Sequence, residues 1–388
     1  MEFNGDRMKV SIVKCEDYSN EVVMPALEAL LKPLGGLSWV KEGMTVAIKA
    51  NLVSNMHPDR AATTHPALLC ALVTMLKERG ARVIVGDSPG GLYNHAYVNR
   101  VYAATGMKSV QNAGAELNQD FSQASAHFPD ALIAKDFTYT AWLDQADVII
   151  NFCKLKTHGM MGMSAAAKNL FGTIPGTMKP EYHYRFPKIE NFSNMIIDLN
   201  CYFKPILSIV DAVIGMEGNG PTAGTARKIG AIAASDNPHA LDMLCAHLIG
   251  IDPLQVPTLQ AAIRRGLVGE KLDEIEVIGQ YHDLCISDFQ FVTGSRSLQF
   301  KKEASTVTGK AVAAFIQKVL SSKPTVMQNE CVGCGVCKNI CPAKAITMIN
   351  NIPTIDRKKC IRCFCCQEFC PKGAMKVHRT WIARLLEH

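Results

Sequence analysis

The chain has 388 residues, 48% of them hydrophobic, with a formal net charge of +6. That length accommodates two or three domains and a sizeable core. No apolar run reaches the ~18 residues of a membrane span, and Met1-Glu-Phe-Asn-Gly-Asp-Arg lacks the apolar centre of a signal peptide. A soluble, cytoplasmic protein with no membrane association is therefore expected. No basic run with interleaved aromatics points to nucleic acid.

Lys9 to Val13 reads as a first strand. Asn20 to Leu34 has helical spacing, with Val22, Val23, Leu27, Leu30 and Leu31 on one face and Pro33 and Gly35-Gly36 as the stop. Met44 to Ala50 is an apolar strand that runs into Asn51 and a polar loop holding Thr63 and His65. Thr64 is expected to cap a helix with Pro66 in its first turn, running to about Arg79. Arg82 to Gly86 is a buried strand that ends at Asp87-Ser88. Asp147 to Phe152 is another, opening into Cys153-Lys154-Leu155-Lys156-Thr157-His158. Ser164 to Leu170 begins a helix, and Thr173 to Pro187, which includes His183, reads as a long loop suited to a lid or binding role. Asn191 to Phe203 is helical, and Ile206 to Ile214 is a strand leading to Glu217-Gly218-Asn219-Gly220-Pro221. Ile229 to Ala234 is a strand, Pro238 to Ile249 and Thr258 to Gly266 are helices, and Ile275 to Gly279 closes the large domain. The alternation predicts an α/β class with mixed or parallel sheets covered by helices. The expected division is an α/β ligand-binding domain over 1–290, a connector over 291–325 with a helix from Val312 to Leu320, and a small ferredoxin-like α+β domain over 326–380.

The strongest local signal lies in the last of these. Cys331-x-x-Cys334-x-x-Cys337-x-x-x-Cys341-Pro342 is repeated as Cys360-x-x-Cys363-x-x-Cys366-x-x-x-Cys370-Pro371, an offset of 29 residues from Cys331 to Cys360. This is the bacterial ferredoxin run for two [4Fe–4S] clusters, in which the fourth Cys of each run serves the other cluster. Cys331, Cys334, Cys337 and Cys370 are thus expected on one cluster, and Cys360, Cys363, Cys366 and Cys341 on the other. A zinc ribbon or a disulfide framework is the plainer reading of paired cysteines, but two full runs of four, each closed by Cys-Pro, are an odd way to build either. Cys365 breaks no spacing and reads as a packed free thiol, with a ligand exchange with Cys366 as the alternative. The other six cysteines are scattered, which suits a reducing compartment in an anaerobe. From Lys323 onward there are 11 Lys/Arg against 4 Asp/Glu. That excess either offsets the clusters or docks an acidic ferredoxin- or flavodoxin-type donor.

The large domain carries polar residues where its strands end, which is where ligands bind in open α/β sheets. Lys49, Asn51, Thr63, His65, Asp87, Ser88, Asn151, Asn169, Glu217 and Asn219 are candidate ligand-binding residues, and Lys154, Lys156, His158 and Lys168 candidate catalytic ones. Lys154, Lys156 and His158 alternate, so they can share one side of a strand. Lysines converging with histidines make an anion site, and a Lys held near other cations can act as acid or base. For any one of these the bland alternative is a solvated loop charge. Gly218-Asn-Gly-Pro matches neither a Walker A loop nor a dinucleotide fingerprint. Asp211 is either a site residue or a satisfied strand-edge carboxylate. His239, His247, His282 and the Met160-Met161-x-Met163 cluster read as structural.

Lys49-x-Asn51-Leu, Lys154-x-Lys156-Thr157-His158, Lys168-Asn169-Leu170-Phe171-Gly172 and the stretch from Asp211 to Pro221 together resemble a bacterial and archaeal domain family of unknown function, number three-six-two. The resemblance covers roughly residues 8 to 280, and the family is often fused, as here, to a two-cluster ferredoxin. It implies a two-lobed α/β domain with a crevice, distantly similar to the lactate racemase fold, and implies no settled reaction.

Three functions compete. The first is a ferredoxin-coupled oxidoreductase passing low-potential electrons to an anionic small molecule, directly or through an additional unidentified cofactor. The second is a non-catalytic electron-transfer subunit or adaptor, and the third an isomerase or lyase with structural clusters. The sequence leaves a homo-oligomer open.

Overall fold

The computed structural model describes residues 7–291 and 323–378. The expected helix from Val312 to Leu320 and most of the connector lie outside the described residues. In the large domain the strands are β1 (Lys9–Lys14), β2 (Thr45–Lys49), β3 (Arg82–Gly86), β4 (Glu116–Leu117), β5 (Gln123–His127), β6 (Asp136–Thr140), β7 (Val148–His158), β8 (Gly162–Ser164), β9 (Leu207–Glu217), β10 (Thr225–Ser235) and β11 (Glu276–Ile278). Nine of them form one sheet in the order β11-β1-β10-β9-β7-β2-β3-β4, with β8 on β7, and β5–β6 form a separate hairpin. Strands β9, β7, β2, β3 and β4 run parallel, whereas β10 is antiparallel to both β9 and β1. The fold is the expected mixed α/β class, and one sheet runs through the whole domain.

The helices are α1 (Asn20–Leu31), α2 (Pro66–Lys77), α3 (His95–Ala104), α4 (Met107–Asn112), α5 (Ala166–Asn169), α6 (Lys179–Arg185), α7 (Ile189–Phe203), α8 (Pro238–Leu248) and α9 (Pro257–Arg264). They cover both faces of the sheet, which is why its strands bury apolar residues on both sides. The two-residue strand period assigns the faces. Ile232 and Ala234 of β10 pack with α1 and α2 in one core, and Ala231 and Ala233 pack with α8 and α9 in the other. Each fully buried Val, Leu or Ile there contributes roughly 1.5–3 kcal/mol. No helix among the described residues is long and apolar enough to cross a membrane.

Three expectations need correction. The cap of α2 is His65, whose ring Nδ1 accepts from the Ala67 amide at 3.2 Å. Thr64 is instead buried, taking the Asn51 amide and donating to the Phe152 carbonyl. Strand β7 does not stop at Phe152 but runs to His158, because β8 folds back and pairs with its far end. The stretch from Thr173 to Pro187 is not all loop: Pro180 at its first turn starts α6, which buries Lys179, Tyr182 and His183.

The C-terminal module has β12 (Lys323–Val326), α10 (Val336–Asn339), β13 (Ile346–Ile349), β14 (Ile352–Ile355), α11 (Cys365–Glu368) and β15 (Met375–His378). β12 pairs with β15 and β13 with β14, so the module includes Lys323 to Thr325, which lie in the stretch expected to be connector. The repeat is structural as well as sequential. Gly333 and Gly335 have φ of 69° and 73°, and their counterparts 29 residues on, Arg362 and Phe364, have φ of 58° and 59°. The left-handed conformation is thus required by the turn of each Cys-x-x-Cys-x-x-Cys run, and the second copy adopts it without glycine.

Candidate functional site

The carboxyl ends of β2 and β3 lie side by side and against Asn151 of β7, beyond which β7 continues to His158, since Lys49 stands opposite Gly86 on one side and Asn151 on the other. This is the sheet edge at which a parallel α/β domain opens a crevice. Lys49, Asn51, Asp87, Ser88, Lys156, His158, Lys168 and Asn169, all named from the sequence, line it. Lys49 Nζ pairs with Asp87 Oδ1 at 2.7 Å and also donates to Asn169 Oδ1 at 3.0 Å. Gly172 permits this approach, because a Cβ there would meet both Asp87 Oδ1 and Lys49 Nζ. Lys156 Nζ donates to Asn51 Oδ1 at 2.8 Å and to the Ala62 carbonyl at 2.6 Å. Lys168 Nζ makes no hydrogen bond among the described residues and rests 4.4 Å over the Phe171 ring.

Six expected residues lie outside this lining. Between Lys154 and Lys156 the pairing of β7 with β9 shifts register. Lys154 turns to Asp211, with Nζ 2.8 Å from Oδ2 and from the Tyr18 hydroxyl. His65 stacks on Tyr18 at 3.5 Å and gives its amide to the same carboxylate. Asp211 is therefore a satisfied carboxylate within a closed network. Asn151 accepts from Asn169 Nδ2 at 2.8 Å and so orients it. Glu217 accepts from the Gln290 amide, and Asn219 holds the C-terminal module. Thr63 is buried with its hydroxyl unpartnered.

Two lining residues carried no sequence signal. Lys179 enters from α6 and donates to the Ser88 carbonyl. Glu368 enters from α11 of the ferredoxin-like module. That helix is seated on the large domain by its neighbour Gln367, whose Nε2 reaches Asn219 O at 3.1 Å, Asn219 Oδ1 at 3.3 Å and Gly220 O at 3.0 Å. Thr222 Oγ1 donates to the Glu368 carbonyl, and Gly90 and Gly159 lie flush against Phe369 and Gln367.

Burial dominates the electrostatics. It pushes Lys156 and Lys179 down to about 7, with Glu368 and Asp87 opposing the shift, and lowers Lys49 and Lys168 too. His158 is driven well below its ordinary value by burial and by Lys168. Its Nδ1 accepts from the Met160 and Met161 amides, so the proton sits on Nε2, which has no partner. The Ser88 hydroxyl is likewise unpartnered.

The cysteines fall into two groups around separate cavities. Cys331, Cys334, Cys337 and Cys370 line one, with Val326, Val336, Met348 and Met375 supplying apolar walls. Cys341, Cys360, Cys363 and Cys366 line the other, together with the buried Cys365. Four thiols around one apolar cavity are the donor set a [4Fe–4S] cluster takes.

Fold and cysteine framework together define an α/β protein joined to an iron–sulfur module. Residues 46–247 match the family described as a domain of unknown function, DUF362, and residues 323–371 match the 4Fe-4S dicluster domain. The chain is 34% identical over 266 residues, 66% of its length, to the thylakoid-associated protein sll1697 of Synechocystis sp. (strain ATCC 27184 / PCC 6803 / Kazusa), of which it covers 79%. The chain belongs to the DUF362 family and is an iron–sulfur protein that binds [4Fe–4S] clusters. Among solved structures it is similar to the lactate racemase apoprotein of Thermoanaerobacterium thermosaccharolyticum, at a TM-score of 0.40 and 12% identity over 64% of this chain. It spans 58% of that structure's length.

Proposed function

We propose that the protein is a ferredoxin-coupled oxidoreductase whose substrate is an anionic small molecule held in the lysine-lined crevice. The carrying observation is the seat of α11: the helix that includes Cys366 also places Glu368 in the crevice wall. Cys331, Cys334, Cys337 and Cys370 hold one cluster and Cys360, Cys363, Cys366 and Cys341 the second. The chemistry such a group supplies when bound is one-electron transfer. Lys156, Lys168 and Lys179 bind the anion. His158 donates from Nε2, and a lysine poised near neutral pH delivers protons, so that two electrons and two protons make a net reduction. The outer end of the module, with Cys334 exposed and Val332 60% and Ile349 56% exposed, receives an acidic ferredoxin- or flavodoxin-type donor. Free thiols and exposed clusters suit the cytoplasm of an anaerobe.

The test uses anaerobically purified protein. Iron and sulfide content, EPR after dithionite and mass spectrometry of extracted small molecules are measured together. About eight irons in reducible clusters with a co-purified anion support the proposal. Reducible clusters with an empty large domain favour an electron-transfer adaptor, and clusters that resist reduction favour a structural role.

A further inference from the structure

We infer, building on the proposed anion site, that the crevice takes a compact dianion: two negative charges carried on the oxygens of one small ion. Lys49 is already neutralised by Asp87 at 2.7 Å. The remaining ammonium groups, Lys156, Lys168 and Lys179, face one carboxylate, Glu368. With all three protonated, as a bound anion would hold them, three positive charges stand against one negative and leave two in excess inside a largely buried space.

The hydrogen bonding points the same way. Lys156 and Lys179 each satisfy two of their three N–H groups on protein oxygens. Lys168 uses none of its own among the described residues, His158 has a free Nε2–H and Ser88 a free hydroxyl. His158 is 3% and Ser88 2% exposed, so water does not freely satisfy them. The crevice thus holds unused donors on Lys168, His158 and Ser88, with the single Glu368 carboxylate facing them. A metal cation would be repelled, a neutral ligand would leave both charges uncompensated, and a monoanion would leave one. The cavity, at about 40 Å³, has room for roughly three water molecules at about 10–15 Å³ each. That is the size of a phosphate group or a short dicarboxylate.

The experiment is calorimetry on the anaerobic holoprotein with sulfate and malonate as dianions and with acetate and nitrate as monoanions, at constant ionic strength. At pH 7, with Lys49, Asp87, Lys156, His158, Lys168, Lys179 and Glu368 as the facing groups, a dianion is expected to bind at least about tenfold more tightly than either monoanion. It should also take up protons, read from two buffers of different ionisation heat. Lys179→Gln should bring dianions and monoanions within about threefold of each other at unchanged iron content. Preference for sulfate would indicate a tetrahedral group and preference for malonate a dicarboxylate, and both support the inference. Equal binding of all four ions overturns the dianion while leaving the anion site standing. No binding at all, or binding unaltered in both Lys156→Gln and His158→Gln, removes the anion site itself.

Discussion

Replacing Gln367 with alanine tests whether the iron–sulfur module is held against the crevice as described. The Gln367 side-chain amide has two protons and three acceptors within 3.3 Å, all on Asn219 and Gly220, so it supplies the equivalent of two hydrogen bonds. Each is worth about 1 kcal/mol net. Gln367 is 1% exposed, so the carbonyls it leaves behind do not gain water in exchange. The joint should therefore lose about 2 kcal/mol, and at about 1.4 kcal/mol per tenfold its opening should become roughly thirtyfold more frequent. The reporters are the amides of Gly218, bonded to Gln290 O at 2.6 Å, and Gly220, bonded to Gly218 O at 2.8 Å. Their hydrogen exchange in the anaerobic holoprotein should accelerate by that factor while iron content stays constant, since Gln367 is no ligand. Acceleration of less than about threefold would mean that the two domains are not joined through this side chain.

Other expectations follow from the same geometry. Lys154→Met leaves Asp211 buried and unpaired and should cost about 3–5 kcal/mol in anaerobic urea unfolding; a loss under about 1 kcal/mol would mean the pair is hydrated. Lys156 and Lys179 fall from 10.5 to about 7 on folding. Between those values the unfolded chain binds more protons, so the stability of the ligand-free protein rises with pH across that window. Anion affinity runs the other way, weakening above about pH 7 as the lysines lose charge. Melting curves with and without malonate should converge as pH rises, and parallel curves would refute the assignment. Cys366→Ala should lose about half the iron whereas Cys365→Ala should keep all of it; equal losses would make Cys365 a ligand. Gly172→Ala, which drives a Cβ into Lys49 and Asp87, should weaken anion binding, and wild-type affinity would show that the pair can shift.

Legibility tracked how local the cause was. Cysteine spacing is set by the cluster, so the run could be read directly. The strands are apolar because they are buried on both faces, and their positions followed. Lys156 and His158 came from the two-residue period of β7. The same period grouped Lys154 with them, but Lys154 answers to Tyr18 and Asp211, which are 193 residues apart. No local pattern records such a meeting. Lys179 sits in a stretch without clear period, where a seven-residue helix forms largely by packing. Glu368 lies between Cys366 and Cys370 of the cysteine run and gave no sign that it reaches another domain.

The iron–sulfur repeat is most informative where its halves differ. Shifting by 29 residues sets Gly335 against Phe364, Lys338 against Gln367, Asn339 against Glu368 and Ile340 against Phe369. In the first half Lys338 and Asn339 are exposed, whereas Phe364 and Gln367 in the second are buried. The changes therefore fall on the face that meets the large domain: a lysine that would be stranded in the joint is replaced by an amide that bonds three acceptors, and a neutral side chain by the carboxylate that enters the crevice. The same alignment sets Val336 against Cys365, so the extra cysteine takes the place of an apolar residue in the first half. The second half has been shaped to be covered and the first to stay open. That asymmetry orients the module, with the Cys334 end exposed and the Cys366 end against the large domain.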